Sequence, residues 1–179
     1  MINMKRLEYI GIVVISLISL SLLLLLVDNI NYVFFNLFIP MNTGIWEIGK
    51  LMFTSILIYS IVEYFSIGKK YRNFWFAKAS SMLFGPSIYI FLSYFIDITI
   101  GISFLLTHII VFVLSVGIAQ YISYYFLEKE LYFKLVNVYG VIAIITILTV
   151  FTVYNERRGT LHGPIFRPRD QYKVNIKSM

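Results

Sequence analysis

The stretch that decides the fold is residues 7–27, LEYIGIVVISLISLSLLLLLV, in which Glu8 is the one charged side chain. A helix rises about 1.5 Å per residue, so these 21 residues match the roughly 30 Å hydrocarbon core of a bilayer. The stretch is longer than the about 7–15 apolar residues of a signal peptide, and the following Asp28-Asn29-Ile30 offers no small-residue cleavage site. We therefore expect residues 7–27 to stay as a transmembrane anchor.

The composition of the whole chain extends this pattern. The chain has 179 residues, of which 59% are hydrophobic and 13% are charged, whereas soluble domains average about 25% charged residues. We predict an all-α polytopic membrane helix bundle in which residues 1–154 form one domain with five transmembrane helices, over 7–27, 45–67, 79–96, 100–127 and 131–154. Residues 30–39 are apolar but too short to cross, so we expect an interfacial or re-entrant segment there. Residues 155–179 are predicted to form a polar tail.

Lysines and arginines alternate between the predicted loops. Eight of them lie before the first span, between the second and third, and between the fourth and the first turn of the fifth, which holds Lys134, and none lies in the other two loops. The positive-inside rule then places the N-terminus in the cytoplasm, in a bacterial-type cytoplasmic (cell) membrane. Five crossings make the tail extracytoplasmic, although it carries six cations. A sixth crossing, by residues 30–39, is the alternative topology.

The loop between the second and third predicted spans mixes cations with aromatic rings, as interfacial loops do. Its cations are expected to contact anionic lipid headgroups: Lys69, Lys70, Arg72 and Lys78. The lipid bilayer is thus the expected partner. The net charge of +6 does not predict nucleic-acid binding, because the cations lie in short runs between apolar spans.

Several kinds of chemistry are excluded by residues that the sequence lacks. The chain has no cysteine, which excludes disulfides, thiolate metal sites and cysteine nucleophiles. Its two histidines are too few for a three-histidine metal site, and it has no Gly-x-Ser-x-Gly elbow, His-Glu-x-x-His helix or phosphate-binding glycine loop. We expect no catalytic residues, no metal and no cofactor.

The second predicted span contains charged residues. Glu47 and Lys50 are three residues apart, so they share one helix face, one turn inside the outer end. Near a helix centre a charge costs about 2.5–3.5 kcal/mol on insertion scales, and pairing reduces that cost. In one interpretation they form the polar floor of an outward-facing pocket, where Lys50 binds an anionic group and Glu47 exchanges a proton. In the other they form an interfacial ion pair, with Trp46 at headgroup depth.

The fourth predicted span holds His108. In one interpretation it is a proton relay or a ligand contact, and in the other it is a structural hydrogen-bond partner of a neighbouring helix.

Three other polar residues have simpler interpretations. Glu63 is interpreted as an interfacial carboxylate beside the lysines of the following loop, Asp97 as the end of the third span, and Gln120 as an interhelical hydrogen bond.

The tail contains a stiff apolar segment at residues 161–168, with two prolines and two apolar side chains. If the tail is extracytoplasmic, His162 lies on the same side as Glu47 and could cover the pocket. A loosely attached surface tail is the alternative.

The sequence reads WEIGK at 46–50, YSIVEY at 59–64 and IGKKY at 67–71. Through these three segments the chain resembles a family of small bacterial integral-membrane proteins catalogued as a domain of unknown function. The resemblance runs nearly end to end. In that family an Asn-rich turn leads into a Trp-Glu-x-x-x-Lys or Trp-Glu-x-x-Lys motif, which corresponds here to Asn42, Trp46, Glu47 and Lys50. Its tail has a His-x-Pro-aliphatic-Phe motif, which corresponds to His162, Pro164, Ile165 and Phe166.

Two departures from this family weigh against a metal or proton site at the motifs. Ile48 stands where histidine is expected in many relatives, and Arg167-Pro168-Arg169-Asp170 replaces an Asp-Pro and a Gly-containing turn. The resemblance implies the architecture but no activity.

The leading hypothesis is a non-enzymatic binding or accessory membrane protein whose outward-facing polar pocket holds a small or lipid-headgroup ligand. Its candidate ligand-binding residues are Trp46, Glu47, Lys50, His108 and His162. The alternatives are a small transporter or the substrate-binding subunit of one, and a membrane-embedded lipid-modifying enzyme that uses Glu47 or His108 as acid or base.

Overall fold

The computed structural model describes residues 4–24, 40, 44–100, 105–129 and 135–156. In these residues it has five α-helices: α1 Met4–Leu24, α2 Ile45–Ser66, α3 Phe74–Ile100, α4 Leu105–Glu128 and α5 Val136–Glu156. A short 3-10 helix, Gly68–Lys70, follows α2. The predicted all-α class is confirmed. The predicted segment 30–39 and the tail beyond residue 156 lie outside the described residues.

The third helix is longer than its predicted span of 79–96. It begins at Phe74 and continues past Asp97 to Ile100. The prediction that Asp97 ends the helix and that Lys78 lies in the preceding loop is therefore wrong. The physical reason is that both charges have partners on neighbouring helices, Asp97 with His108 and Lys78 with two glutamates. A paired charge does not need the water of a loop.

Neighbouring helices alternate in direction along the chain. Ser19 on α1 hydrogen bonds Ser55 on α2, and the hydroxyl of Tyr59 donates to the carbonyl of Leu7 at 2.7 Å. Because residues early in α1 meet residues late in α2, these helices are antiparallel. The backbone N–H of Trp75 donates to Asn137 at 3.0 Å, so the starts of α3 and α5 lie together. One end of the bundle, the first end, holds the starts of α1, α3 and α5; the second end holds the starts of α2 and α4.

Small residues bring α3 close to its neighbours. A Cβ built on Gly140 of α5 would clash with the backbone nitrogen of Phe76, and one built on Gly85 would lie 2.9 Å from Ala119 of α4. Close backbone approach at small residues is a common packing mode of membrane helices. These contacts place α3 between α2, α4 and α5, while α1 packs on α2 and α4.

The bundle places polar side chains inside and apolar ones outside. Its interior contains charged and amide side chains that are at most 4% exposed: Glu8, Glu47, Lys50, Glu63, Lys78 and Gln120. Its outer surface carries large apolar side chains such as Phe65, 69% exposed, and Phe91, 67% exposed. Such a surface fits lipid better than water.

The helix lengths agree with this pattern. Four helices are long and apolar enough to cross a membrane: Met4–Leu24, Ile45–Ser66, Phe74–Thr99 and Leu106–Glu128. The apolar stretch of α5, Val136–Phe151, is shorter. The described helices therefore indicate a membrane protein.

Candidate functional site

The second end of the bundle holds the predicted pair on α2. Lys50 Nζ lies 2.9 Å from Glu47 Oε2, and the two residues are 1% and 4% exposed. Pairing within one helix face is what the three-residue spacing predicts. The neighbouring Trp46 packs on α5, where its ring centroid lies 5.0 Å from that of Phe151. We call Glu47 and Lys50 the second-end pair.

A second pair of polar side chains joins α3 and α4 at the same end. His108 Nε2 lies 2.9 Å from Asp97 Oδ1. The imidazole is 3% exposed, and the contact with Asp97 fixes the orientation of its ring. The contact joins His108 to a neighbouring helix through a carboxylate, and both interpretations of His108, ligand contact or structural partner, stay predictions.

A cavity of about 340 Å³ lies beside His108. Four helices contribute its mostly apolar lining: Ser16, Ser19, Leu20, Leu23, Ile48, Leu51, Tyr89, His108, Ile109, Phe112 and Val113. Leu20, Ile109 and Val113 are also at least 42% exposed on the outer surface, so this second-end cavity opens sideways between α1 and α4.

Of the predicted site residues, the four that the structure describes lie at one end of the bundle but do not line one cavity. His108 lines the second-end cavity, together with Ile48 and Leu51 of α2. Glu47 and Lys50 each precede one of these two residues, so they lie on the next face of α2, about 100° around the helix. His162 lies outside the described residues.

The first end holds a charged cluster that the sequence analysis did not predict. Lys78 Nζ of α3 lies 2.9 Å from Glu8 Oε1 of α1 and 2.5 Å from Glu63 Oε2 of α2. The hydroxyl of Ser123 on α4 also donates to Glu8 Oε1, at 2.8 Å. The four residues are at most 4% exposed, and they tie four helices together. We call them the first-end cluster.

This cluster corrects two predictions. Lys78 is fully buried with two carboxylates, so its ammonium is not accessible to a lipid headgroup. Glu63 pairs with Lys78 rather than lying at the interface beside the lysines of the next loop. Lys69, Lys70 and Arg72 are exposed, and their contact with headgroups stays a prediction.

A smaller cavity, of about 170 Å³, lies beside the first-end cluster between α1 and α4. Its lining is more polar: Lys5, Glu8, Tyr9, Ile12, Gly117, Gln120, Tyr121 and Tyr124. The hydrogen bond predicted for Gln120 is not found: its carboxamide has no hydrogen-bond partner among the described residues, although it is 1% exposed. Glu8 Oε2 likewise has no hydrogen-bond partner within them. We call this the first-end cavity.

One signal in the sequence could have found the cluster. Glu8 and Glu63 are carboxylates within apolar spans, and such residues need partners. Local spacing suggests only the lysines of the adjacent loop as partners for Glu63, and it offers none for Glu8. Lys78 lies on another helix, and no local spacing connects it to either glutamate.

No metal centre is formed by the described side chains, since no three histidine, aspartate or glutamate residues group as ligands in that part of the chain. The fold and its buried polar groups define a class, a helical bundle of the membrane-protein type. The chain belongs to the family described as a family of unknown function, DUF6512, which it matches over residues 1–174. The predicted resemblance to a family of unknown function is thereby confirmed. No curated protein and no solved structure matches the chain.

Proposed function

We propose that this chain is an integral membrane protein that binds an amphiphilic, lipid-like ligand in the second-end cavity and is not an enzyme. The observation that carries the proposal is an apolar cavity of about 340 Å³ that opens sideways at exposed Leu20, Ile109 and Val113. Ligand cavities are usually apolar, with a few polar groups that fix orientation. A lipid tail could enter this one directly from the bilayer.

The position of His108 sets the orientation of the ligand. His108 lies near the start of α4, whereas Phe112 and Val113 lie one turn or more deeper. We therefore place the polar head of the ligand at the imidazole, which Asp97 holds in one orientation, and the alkyl chain along the deeper apolar wall. When doubly protonated, an imidazole held in this way donates one N–H to the carboxylate and can donate the other to an anionic or carbonyl group.

The other predicted site residues have a supporting role in this proposal. Glu47 and Lys50 are buried and paired at 2.9 Å, so the ion pair fixes the stretch of α2 that carries Ile48 and Leu51 into the cavity wall. Trp46 anchors the same turn against α5. Direct ligand contact by Trp46, Glu47, Lys50 or His162 stays a prediction.

Binding of a spin-labelled fatty acid to the purified full chain tests the proposal. We expect Val113→Trp to fill the cavity and to weaken binding by at least about tenfold, the equivalent of 1.4 kcal/mol. The matched control is Leu114→Trp, because Leu114 is 57% exposed on the same helix and does not line the cavity. Val113→Trp that binds like the parent chain would contradict the proposal.

His108→Ala separates the two parts of the ligand. We expect it to weaken binding of the anionic fatty acid more than binding of the corresponding alcohol, since the imidazole contacts the head only. Equal losses for both ligands would place the head elsewhere.

The membrane orientation is part of the proposal. The first end carries nearly all cations of the described helices and loops: Lys5, Arg6, Lys69, Lys70, Arg72, Lys78 and Lys129. The positive-inside rule therefore favours a cytoplasmic first end and an extracytoplasmic second-end cavity in a cell membrane. Reporter fusions in the loop 69–73 and at residue 179 test this, with opposite sides expected.

A second candidate function is a small transporter. The first-end cluster favours it, because ionisable residues inside membrane helices often mark ion or substrate pathways. Counterflow in liposomes distinguishes the two candidates, since a binding protein does not exchange solute across the bilayer.

A further inference from the structure

The first-end cluster carries more negative than positive charge. Two carboxylates, Glu8 and Glu63, meet one ammonium, Lys78, at 2.9 and 2.5 Å. The three side chains are at most 5% exposed. An uncompensated charge in such surroundings is strongly unfavourable, and a buried group usually becomes neutral instead. Ser123 donates a hydrogen bond but brings no charge.

The first-end cavity supplies a second, independent observation. Gln120 is 1% exposed, and within the described part of the chain its carboxamide nitrogen and oxygen have no hydrogen-bond partner. A Cβ built on Gly11 would lie 3.3 Å from Gln120 Cδ, which places the carboxamide against the turn of α1 that follows Glu8. Both residues line the same cavity of about 170 Å³. A buried amide and a buried carboxylate, whose Oε2 also has no hydrogen-bond partner there, thus line the same cavity.

We propose that the first-end cluster is a proton-binding site, in which the Glu8–Glu63 pair holds a single proton that neutralises the second carboxylate. The proton reaches the pair through the first-end cavity, and on release it passes from a carboxyl oxygen to water at the cavity mouth and leaves a carboxylate. It belongs to the pair and not to one residue, since both carboxylates contact the same ammonium. The amide of Gln120 can accept a hydrogen bond from a carboxyl group or donate one to a carboxylate.

The surroundings of the pair favour a proton over a metal ion. Glu8 Oε1 already accepts from Lys78 and Ser123, and a hard metal cation needs a shell of about six oxygen ligands. A proton needs one oxygen. The charged and titratable groups facing the pair are Lys5 and Tyr9 of α1, Tyr59 of α2, Lys78 of α3, and Tyr121 and Tyr124 of α4. Of these, Lys78 is the cation in contact with the carboxylates.

Infrared spectroscopy of the full chain in lipid nanodiscs tests the proposal through the C=O band of protonated carboxyl groups. At pH 7 exposed carboxyl groups are ionised, because their ordinary pKa values are about 4. We expect the parent chain to retain a carboxylic-acid band at this pH and the band to shift in D2O. Glu8→Gln and Glu63→Gln should each abolish it, because either change leaves one carboxylate for one ammonium.

Two further variants distinguish an effect of the cluster's charge balance from a general effect of substituting a buried charged residue. Lys78→Met should raise the band about twofold, because both buried carboxyl groups then need a proton. Glu47→Gln is the matched control, because it removes a buried carboxylate from the balanced second-end pair, and it should leave the band unchanged. Absence of the band in the folded parent chain would overturn the proposal without any variant, as would a band that survives both first-end substitutions.

The same samples test whether the bound ion is a proton and whether it enters through the first-end cavity. Replacing NaCl by N-methylglucamine chloride should leave the band unchanged, and a band that Na⁺ suppresses would overturn the assignment to a proton. Gly117 lines the cavity and a Cβ built on it meets open space, so Gly117→Leu should narrow the cavity. We expect it to slow the shift in D2O several-fold relative to Ile118→Trp, a control on the 40% exposed neighbour. Equal rates in these two variants would overturn the proposed route.

Discussion

The two ends of α2 bury charge in different ways. Near its start, Glu47 and Lys50 pair within one helix, with one carboxylate for one ammonium. Roughly 20 Å further along the helix, Glu63 meets a lysine from α3 and a glutamate from α1. Among the described residues, the first-end cluster is therefore non-local and has two carboxylates for one ammonium, whereas Glu47 and Lys50 form a local pair of opposite charges.

This difference predicts that the two charged sites respond differently to substitution. A balanced pair can be replaced by apolar residues with little loss, because both charges leave together. In the unbalanced cluster no single substitution removes the cation without exposing two carboxylates to an apolar interior. The cluster also requires α1, α2, α3 and α4 to be assembled before all of its contacts are formed.

Removing the cation of the first-end cluster should have the largest effect on stability. Lys78→Met keeps the length of the side chain and leaves two buried carboxylates without their ammonium. Breaking a buried ion pair typically costs 3–5 kcal/mol, and we expect about 5 kcal/mol here. The measurement is the free energy of unfolding in mixed micelles of dodecyl maltoside and SDS.

Lys69→Met is the control for Lys78→Met, because Lys69 is exposed on the 3-10 helix and should cost less than about 0.5 kcal/mol. Similar losses in the two variants would contradict the view that Lys78 holds three helices together.

The second-end pair should respond differently to single and double substitution. Lys50→Met leaves one buried carboxylate, which lies in the first turn of α2, where the helix dipole favours negative charge. We expect a loss of about 3 kcal/mol. Replacing Glu47 by Leu and Lys50 by Met together should restore most of this loss, since no charge remains.

The same pair of measurements gives a coupling energy from a double-mutant cycle. A double variant as unstable as Lys50→Met would show that Glu47 makes a contact the fold needs beyond the ion pair. If the double variant is stable, its binding of the spin-labelled fatty acid shows whether the pair also serves the second-end cavity.

The sequence predicts the second-end pair and the fold, but not the first-end cluster, for a physical reason. Helix length and apolar content are local properties, so four of the predicted spans reappear as span-length helices. The spacing of Glu47 and Lys50 is local as well. Hydropathy places Lys78 and Asp97 in or next to loops, because an isolated charge favours water. Each has a partner on another helix, and hydropathy along one chain cannot identify such a partner.

Ser123 gives a smaller test of the first-end cluster. Its hydroxyl donates to Glu8 Oε1 at 2.8 Å, and a hydrogen bond to a charged group contributes about 1.5–3 kcal/mol. We expect Ser123→Ala to lower the free energy of unfolding by about 1.5 kcal/mol. Ser87→Ala should change it by less than about 0.5 kcal/mol, because exposed Ser87 donates only to the carbonyl of Leu83 on its own helix. Equal losses in the two variants would mean that the bond from Ser123 adds nothing to the cluster.

The smallest expected effect comes from two glycines, one beside each charged site. A Cβ on Gly11 would lie 2.8 Å from the ring of Tyr59, and this ring is held by the hydrogen bond from its hydroxyl to Leu7. A Cβ on Gly49 would lie 2.8 Å from Ile90 Cδ1, the free end of a flexible side chain.

Both changes to alanine gain about 1 kcal/mol of helix propensity, so the difference between them reflects packing. We expect Gly11→Ala to be destabilising by about 1 kcal/mol, since overpacking against a fixed ring costs about 2 kcal/mol, and Gly49→Ala to be neutral or stabilising. Thermal unfolding in detergent measures both. If Gly11→Ala proves as stable as Gly49→Ala, α1 is free to shift at the first end. The packing of Gly11 near Tyr59 and Gln120 then does not constrain the cluster.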